Sequence, residues 1–293
     1  MQEGRIVKAL SGFYYVSHGE HITQCRGRGV FRKNKITPLV GDQVVFQAEN
    51  PTDGYILEIL ERKNELVRPP IANVDQAILV FSAVEPTFNP LLLDRFLVLI
   101  EFNHIKPIIC ISKTDLADRE TVHKIEDYVN DYRKIGYDVL FTSSTVEESV
   151  EELRPFLHDR ISVVAGQSGV GKSTLLNMLR PELELKTSGI SSHLGRGKHT
   201  TRHVELIEVG TGLVADTPGF SSLDFIDIEV EDLTNCFPEL KEYSQSCKFR
   251  CCTHLSEPKC AVKKAVEEKE IPHYRYENYV EFVSEIRDRK PRY

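Results

Sequence analysis

The chain has 293 residues and a formal net charge of −7, and this length predicts about two domains with ample material for a buried core. An acidic net charge is not typical of a general nucleic-acid-binding protein. No apolar run reaches about 18 residues, and the first residues lack the apolar core of a signal peptide. We therefore expect no membrane segment, no export signal and a cytoplasmic location.

The charge is unevenly distributed along the chain. Residues 1–70 carry ten basic and eight acidic side chains, whereas residues 71–225 carry 15 basic and 22 acidic ones. A polyanion is therefore expected to dock at the amino-terminal end. The cysteines crowd towards the other end in a pattern that does not fit a disulfide scaffold, which favours a reducing compartment.

Residues 1–67 predict a small all-β barrel. Five segments rich in β-branched and aromatic residues are bounded by Gly, Pro, Asn or Asp. Five strands in about 65 residues suit an OB fold, although periodicity leaves an SH3-like or other small barrel open. The predicted strands are residues 4–10, 12–18, 22–31, 42–49 and 54–60.

A basic run interleaved with one aromatic residue lies in this barrel. Barrels of this type use such residues to bind single-stranded or structured RNA. A charged, solvated loop is the alternative interpretation. The run consists of Arg26, Arg28, Phe31, Arg32, Lys33 and Lys35.

Strand and helix patterns alternate after Arg68-Pro69-Pro70, which predicts a stiff boundary. The alternation predicts a mainly parallel sheet covered on both faces, forming a central α/β domain over residues 71–225. Residues 226–293 predict a mostly helical domain that is held together by a bound metal ion. Predicted strands of the central domain are residues 74–83, 106–113, 137–144, 161–167, 204–209 and 212–219, and predicted helices are residues 91–103, 118–135, 146–157 and 172–180.

A phosphate-binding loop follows the fourth of these strands and opens a helix. Its glycines let backbone N–H groups turn towards phosphates, Lys172 reaches the β and γ oxygens, and the Ser173 hydroxyl is a ligand for Mg²⁺. A chance glycine turn in this context is a poor alternative. The loop residues are Gly166, Gln167, Ser168, Gly169, Val170, Gly171, Lys172, Ser173 and Thr174.

A guanine-reading word, Ser112-Lys113-Thr114-Asp115, ends the strand 106–113. The Asp115 carboxylate can accept both the N1 and N2 protons of guanine, which adenine does not offer, and the stem of Lys113 would lie along the base. Asparagine or threonine is usual at the position of Ser112, and serine makes fewer hydrogen bonds. Ser143 and Ser144, after the next strand, predict a backbone N–H for the base oxygen.

Two switch words follow the phosphate loop. Asp216-Thr217-Pro218-Gly219 ends a strand, where Asp216 would hold Mg²⁺ through water and the Gly219 N–H would sense the γ-phosphate. The polar loop from Gly195 to Arg202 predicts a threonine ligand for Mg²⁺, with Thr200 and Thr201 both open. A basic solvated loop is the alternative.

The residue that orients the attacking water is not evident. Many GTPases place glutamine directly after the DxxG word, but Phe220 stands there. We therefore expect slow intrinsic hydrolysis unless a partner completes the site. His199 or His203 could supply the orienting group, although a surface role suits each of them better.

The order of these words is unusual, because the guanine word precedes the phosphate loop instead of following it. A nucleotide site is built from loops at the carboxyl ends of parallel strands, so it depends on position in space and not on chain order. The order therefore predicts a circularly permuted GTPase.

The cysteine cluster has the spacing C-x4-C-x-H-x5-C. Three thiolates and one imidazole make a closed, structural zinc site. Cys251 is a fifth candidate that could replace Cys252, but the spacing favours Cys252. Buried free cysteines are the alternative. The predicted ligands are Cys247, Cys252, His254 and Cys260.

The combination of permuted order, GQSGVGKS, GRGKHTTR, DTPGF and the cysteine cluster behind a small barrel resembles the small-subunit-dependent GTPases of bacteria, the RsgA family (also called YjeQ or YloQ). The resemblance covers essentially the whole chain. It implies an OB fold, a permuted GTPase core and a zinc domain. His199 to Thr201 match the family's switch region, and only Ser112 departs from the base-reading word.

The resemblance implies a late assembly factor of the 30S ribosomal subunit. Its partners would be GTP or GDP, the subunit and its 16S rRNA, with Zn²⁺ and Mg²⁺ as cofactors, and it would be a monomer. Subunit-stimulated GTP hydrolysis would release the protein. The alternatives are a signalling GTPase that acts on a protein effector, and an RNA-binding module with a vestigial nucleotide site.

Overall fold

The computed structural model describes residues 1–67, 69–146, 148–183, 204–216 and 223–289, with Arg32, Leu183 and Asp216 described by backbone alone. It contains an amino-terminal barrel, a central sheet covered by helices, and a helical carboxyl-terminal unit. Among these residues no helix has the length and apolar character needed to span a membrane.

The first five strands close into an OB-like barrel. Strand β3 pairs in parallel with β5, β5 pairs with β4, and β4 returns to β1, so the circuit closes in the order 1-2-3-5-4. This circuit confirms the predicted fold over an SH3-like one. The strands are β1 (Gln2–Leu10), β2 (Phe13–His18), β3 (His21–Gly27), β4 (Gln43–Ala48) and β5 (Gly54–Ile59).

The barrel departs from the predicted strands at one place. Strand β3 ends at Gly27, and the short helix α1 (Gly29–Lys33) takes up the rest of the predicted strand 22–31. The Phe31 ring is only 8% exposed. The prediction that Phe31 is an aromatic contact within the basic run is therefore wrong, because this ring fills the barrel core.

A small hairpin of β6 (Glu65–Val67) and β7 (Pro70–Ala72) connects the barrel to the central sheet. Ile71 is fully buried and forms a bridge with Val40 of the barrel. The predicted stiff boundary is thus packed against the barrel on its carboxyl-terminal side.

Five parallel strands form the central sheet in the order β10-β9-β8-β11-β13, and β12 joins its edge in antiparallel orientation. The side chains of β8, β11 and most of β9 are buried, as expected for strands covered on both faces. The strands are β8 (Gln76–Ser82), β9 (Lys106–Ser112), β10 (Asp138–Phe141), β11 (Ile161–Ala165), β12 (Glu205–Val209) and β13 (Gly212–Asp216).

The helices of the core follow the sequence pattern with one exception. The predicted helix at 146–157 is two separate single turns, with Pro155 in the first turn of the second one. The helices are α2 (Pro90–Phe102), α3 (Arg119–Ile135), α4 (Glu148–Glu151), α5 (Arg154–Leu157) and α6 (Lys172–Leu179).

The carboxyl-terminal unit has its own apolar core, which includes Phe237, Tyr279 and Phe282. Val98 of α2 belongs to the same core, so the unit packs directly on the central domain. Its helices are α7 (Val230–Leu233), α8 (Pro238–Ser244), α9 (Ala261–Glu267) and α10 (His273–Asp288).

A buried ion network fastens this unit to the core. The Arg275 guanidinium on α10 bonds to the carboxylates of Asp94 on α2 and Glu239 on α8, and Arg275 and Asp94 are fully buried. Tyr132 and Asn278 donate further hydrogen bonds to Asp94, at 2.7 and 2.6 Å. Burial raises the pKa of the Asp94 carboxyl, while Arg275 and these donors oppose that shift. The single Arg275 guanidinium therefore balances the charge of both carboxylates.

The barrel and the central sheet form one continuous sheet. Strand β1 pairs with β12 at Lys8 and Glu205, and the two side chains form an ion pair of 2.8 Å. The barrel thus contacts the strand that follows the predicted switch loop.

Candidate nucleotide site and metal centre

The predicted nucleotide-binding words meet at one edge of the central sheet. Strands β9, β10, β11 and β13 are parallel, and each ends where one of these words begins or lies. The carboxyl ends of parallel strands form one edge, so the permuted chain order still gathers the words together.

The phosphate loop runs from β11 to α6 and requires glycine at two positions. At Gly166 φ is +140°, and an added Cβ would lie 2.1 Å from the Val80 carbonyl oxygen. Gly171 caps α6 with φ of +100°, in the left-handed region. These conformations turn the backbone into a loop whose N–H groups can bind phosphate at the start of a helix.

Lys172 folds back onto the start of this loop. Its ammonium group donates to the carbonyl oxygens of Gly166 at 2.8 Å and Gln167 at 2.5 Å. Burial lowers the pKa of this ammonium below its ordinary value. The contacts fix a positive charge beside the loop, as binding of β and γ phosphates requires.

Ser112 ties the base-reading word to the phosphate loop. Its hydroxyl lies 2.5 Å from the Val170 carbonyl oxygen and 3.1 Å from that of Phe81, and the side chain is buried. A hydroxyl has one hydrogen, so it donates to one of these carbonyls at a time. Serine at this position therefore still links the two words.

Side-chain hydrogen bonds also connect the two base-reading words with each other and with the loop after β8. The Ser143 hydroxyl donates to Asp115 Oδ1 at 2.8 Å, and the Lys113 ammonium donates to the carbonyl oxygen of Glu85. Asp115 and Ser144 are exposed at the strand ends. The Asp115 carboxylate is thus oriented by a neighbour and accessible to a base.

The Cys/His cluster has the geometry of a zinc site. Sulfur atoms of Cys247 and Cys260 lie 3.9 Å apart, and His254 Nδ1 lies 3.7 and 3.3 Å from them. All four ligand atoms, including that of Cys252, lie within 4.8 Å of one another. Tetrahedral zinc separates its sulfurs by about 3.8 Å and sulfur from nitrogen by about 3.5 Å. The donor set therefore fits Zn²⁺ through Nδ1, whereas Cys251 is exposed and outside the cluster.

Backbone and tyrosine hydrogen bonds orient these ligands. Amide groups at the start of α9 donate to the sulfurs of Cys247 and Cys260, at 3.3 and 3.5 Å. The Tyr276 hydroxyl donates to the His254 carbonyl oxygen at 2.6 Å. Such contacts set ligand orientation and support negative charge on sulfur.

Glu257 organises the turn between His254 and Cys260. Its carboxylate accepts four hydrogen bonds from Thr253, Leu255 and Ser256. Burial raises the pKa of this carboxyl, but the hydrogen bonds outweigh burial and lower it to about 2.

Comparison with known proteins identifies the family. A family model described as the RsgA GTPase matches residues 59–226, and one described as the RsgA N-terminal domain matches residues 3–56. The chain belongs to the RsgA family. Membership makes it a circularly permuted GTP hydrolase.

Relatives are similar over their whole length. A Bacillus cereus protein named small ribosomal subunit biogenesis GTPase RsgA is 78% identical over 293 residues, and a Bacillus subtilis protein of the same name is 64% identical over 298 positions. Each alignment covers 100% of both chains.

Two solved structures share the fold. YloQ, described as a circularly permuted GTPase, has a TM-score of 0.86 and 59% identity, covering 99% of this chain and 96% of that one. YjeQ from Thermotoga maritima has a TM-score of 0.87 and 37% identity, covering 98% and 99%.

The switch words lie largely outside the described residues. Asp216 is described as the backbone end of β13, and its side chain is outside the description, as are His199, Thr200, Thr201 and Gly219. Within the described part, Ser173 lies in the first turn of α6. The magnesium set of Ser173, a switch threonine and Asp216 therefore stays a prediction.

Sequence reasoning missed the supports of the base-reading loops. Ser149 Oγ accepts a hydrogen bond of 2.9 Å from the Ser143 N–H, and Glu85 contributes only its backbone carbonyl. Neither residue belongs to a motif, and no sequence signal identifies them.

Proposed function

We propose that this protein is a late assembly factor of the small ribosomal subunit, whose GTP hydrolysis the 30S subunit stimulates and couples to release. The observation that carries the proposal is 78% identity over the complete chain to a protein named small ribosomal subunit biogenesis GTPase. The phosphate loop and base words gathered at one sheet edge support the nucleotide part of the proposal.

The proposed nucleotide contacts assign a role to each predicted residue at the assembled sheet edge. The loop from Gly166 to Thr174 would cradle the phosphates, Lys172 would neutralise the β and γ oxygens, and Asp115 would accept the guanine protons. Lys113 would lie along the base, with Ser143 and Ser144 beside its oxygen.

Magnesium and the switch words complete the proposed site. Mg²⁺ would neutralise phosphate charge when bound, held by Ser173, Asp216 and either Thr200 or Thr201. Gly219 would sense the γ-phosphate, and His199 belongs to the same switch region. Because Phe220 cannot orient water, we propose that the 30S subunit completes the catalytic arrangement.

The proposal also covers the domains, partners and location of the protein. We propose three domains, residues 1–67, 71–225 and 226–293, with a structural Zn²⁺ in the last, held by Cys247, Cys252, His254 and Cys260. The barrel and the zinc domain would both bind 16S rRNA. We propose that the protein works as a monomer in the cytoplasm with GTP and GDP.

GTP turnover with and without purified 30S and 50S subunits tests this function. The expected result is stimulation of about tenfold or more by 30S and none by 50S, since completing a GTPase site accelerates hydrolysis by orders of magnitude. A GTP turnover rate that does not change when 30S subunits are added would instead favour a signalling GTPase. Failure to bind guanine nucleotides would favour an RNA-binding module.

A further inference from the structure

The barrel presents an aromatic and basic row on its outward side. Leu10 pairs with Phe13, Phe13 with Arg26, and Arg26 with Tyr55, so these four side chains cross β1, β2, β3 and β5 in register. Their strand neighbours Cys25 and Ile56 are fully buried, and the neighbours Ala9 and Tyr14 pack against the same apolar core. Because side chains alternate along a strand, the row faces away from the barrel core.

A second row lies beside the first on the same side. Lys8 pairs with Tyr15, and Tyr15 pairs with Gln24. We define these two rows as the outer face, which consists of Lys8, Leu10, Phe13, Tyr15, Gln24, Arg26 and Tyr55. The seven residues provide three aromatic rings and two cations, and none of the seven is acidic.

The chemistry of the outer face suits unpaired nucleic acid. Tyr55 is 46% exposed, and the Arg26 guanidinium lies 5.1 Å from the centre of the Phe13 ring. Aromatic rings stack on bases whose faces are free, and arginine contacts both phosphates and ring faces. Paired bases within a duplex do not offer those faces.

The surroundings favour RNA over an apolar protein surface. Arg28, Lys33 and Lys35 are exposed in the segment that follows β3, so they add positive charge beyond the end of the strand that carries Arg26. Phe31, the aromatic residue within that basic run, is buried and cannot stack. Stacking therefore belongs to the strand face, and the run after β3 supplies charge.

The outer face also continues onto the GTPase core. Lys8, at its edge, is paired with Glu205 on β12. Strand β12 directly follows the predicted switch loop in sequence. A ligand on the outer face would therefore lie beside the strand that leads out of this loop.

We propose that the outer face is a stacking platform for an unpaired RNA segment, with bases on Phe13, Tyr15 and Tyr55 and a phosphate at Arg26. This inference rests on the proposed function, because it names the part of the subunit RNA that the barrel holds. It adds the ring faces as the determinant of binding.

Anisotropy of a labelled, unstructured RNA of about ten nucleotides, within the site size of OB folds, tests the platform with the full-length protein. Phe13→Leu and Tyr55→Leu each remove a ring and are expected to weaken binding about fivefold or more, from the stacking of one base. Phe13→Tyr and Tyr55→Phe keep the rings and are expected to bind within about twofold of the wild type.

Two controls separate stacking from charge and from general surface change. Arg26→Gln is expected to lower the salt-dependence slope by about 0.7, the value for one phosphate contact on a single strand. Ile22→Ala, at a β3 position 58% exposed and outside the two rows, is expected to leave binding unchanged. The affinity for the same RNA annealed into a duplex is expected to be unchanged by Phe13→Leu.

The outcomes distinguish this inference from the proposed function. Wild-type affinity in both leucine variants, or equal loss for duplex and unpaired RNA, would overturn the platform. If 30S subunits stimulate hydrolysis while the protein binds no unpaired RNA, the platform is wrong and the proposed function stands. If binding follows the rings but subunits do not stimulate hydrolysis, the proposed function is the part that fails.

Discussion

The Cys/His cluster and the nucleotide-binding edge of the central sheet are both built from short polar motifs. The residues of the cluster lie close together in the sequence, whereas those of the nucleotide edge come from distant segments. The four side chains proposed as zinc ligands lie between residues 247 and 260, where turns and the start of α9 bring them together. The nucleotide edge joins Ser112 to Val170, which become neighbours only because β9, β8 and β11 lie side by side.

This difference determines what each site should lose on mutation. Cysteines lose their protons when they bind zinc, and a preformed site is rare in an unfolded chain, so binding of the proposed zinc and folding of the Cys/His cluster would be coupled. The loops of the predicted nucleotide site are instead carried by strands whose side chains are packed in the apolar core. Substitution of a zinc ligand should therefore affect folding, whereas substitution of a nucleotide-contacting residue should affect nucleotide binding alone.

The largest expected effect is loss of a zinc ligand through His254→Ala or Cys260→Ser. Structural zinc contributes on the order of 10 kcal/mol in small zinc domains, so the carboxyl-terminal unit should become sensitive to protease while GDP still binds. Metal analysis should find about one zinc per wild-type chain. Cys251→Ser is the matched control and should retain zinc. Purified wild-type protein without zinc would contradict the assignment.

The buried network should rank second, because it holds the unit to the core without a metal. Arg275→Met leaves Asp94 and Glu239 buried without their cation, and it should lower the free energy of unfolding by about 3–5 kcal/mol. Lys264→Met removes an exposed partner of Glu268 on α9 and should cost less than about 1 kcal/mol. Denaturant titration measures both, and equal losses would show that burial of the network is irrelevant.

Lys172→Ala should separate chemistry from folding. It removes the ammonium held at the phosphate loop, and comparable losses of charge stabilisation cost about 100- to 1,000-fold in rate. The melting temperature should stay close to that of the wild type, since the ammonium contacts only loop carbonyls among the described residues. Wild-type turnover by a folded Lys172→Ala protein would exclude the loop as the phosphate site.

Ser112→Ala should have the smallest effect of this series. It removes one buried hydrogen bond between the two words, worth about 1 kcal/mol, so GDP and GTP should both bind about fivefold more weakly. Ser112→Thr retains the hydroxyl and should bind as the wild type does in calorimetric titrations. A change in GTP alone would place the role of Ser112 at the γ-phosphate instead of the base.

Much of this organisation could be predicted from sequence because the words are physically specific. The phosphate loop needs glycine where a Cβ would strike Val80, and the spacing of the zinc ligands matches the cluster that the structure brings together. Continuous apolar runs predicted β8, β9 and β11 for a similar reason, since nearly all side chains of these strands are buried on both faces of the sheet.

Other features depend on tertiary contacts that no local pattern encodes. The exposure of Phe31 could not be read from its basic neighbours, because α1 turns the ring inward. The partners of Arg275 are 181 and 36 residues away, and helix periodicity shows only that α10 has an apolar side. The outer face of the barrel likewise required the register between strands, which sequence spacing alone does not fix.

The central claim is that a guanine word placed before the phosphate loop reads the base at the assembled sheet edge. Asp115→Asn tests it most directly, with binding of GTP and xanthosine triphosphate measured on the same protein. An amide can donate to the 2-oxo group of xanthine but cannot accept both guanine protons, so the account predicts weaker GTP binding and a preference for xanthosine triphosphate. An unchanged preference for GTP would contradict it.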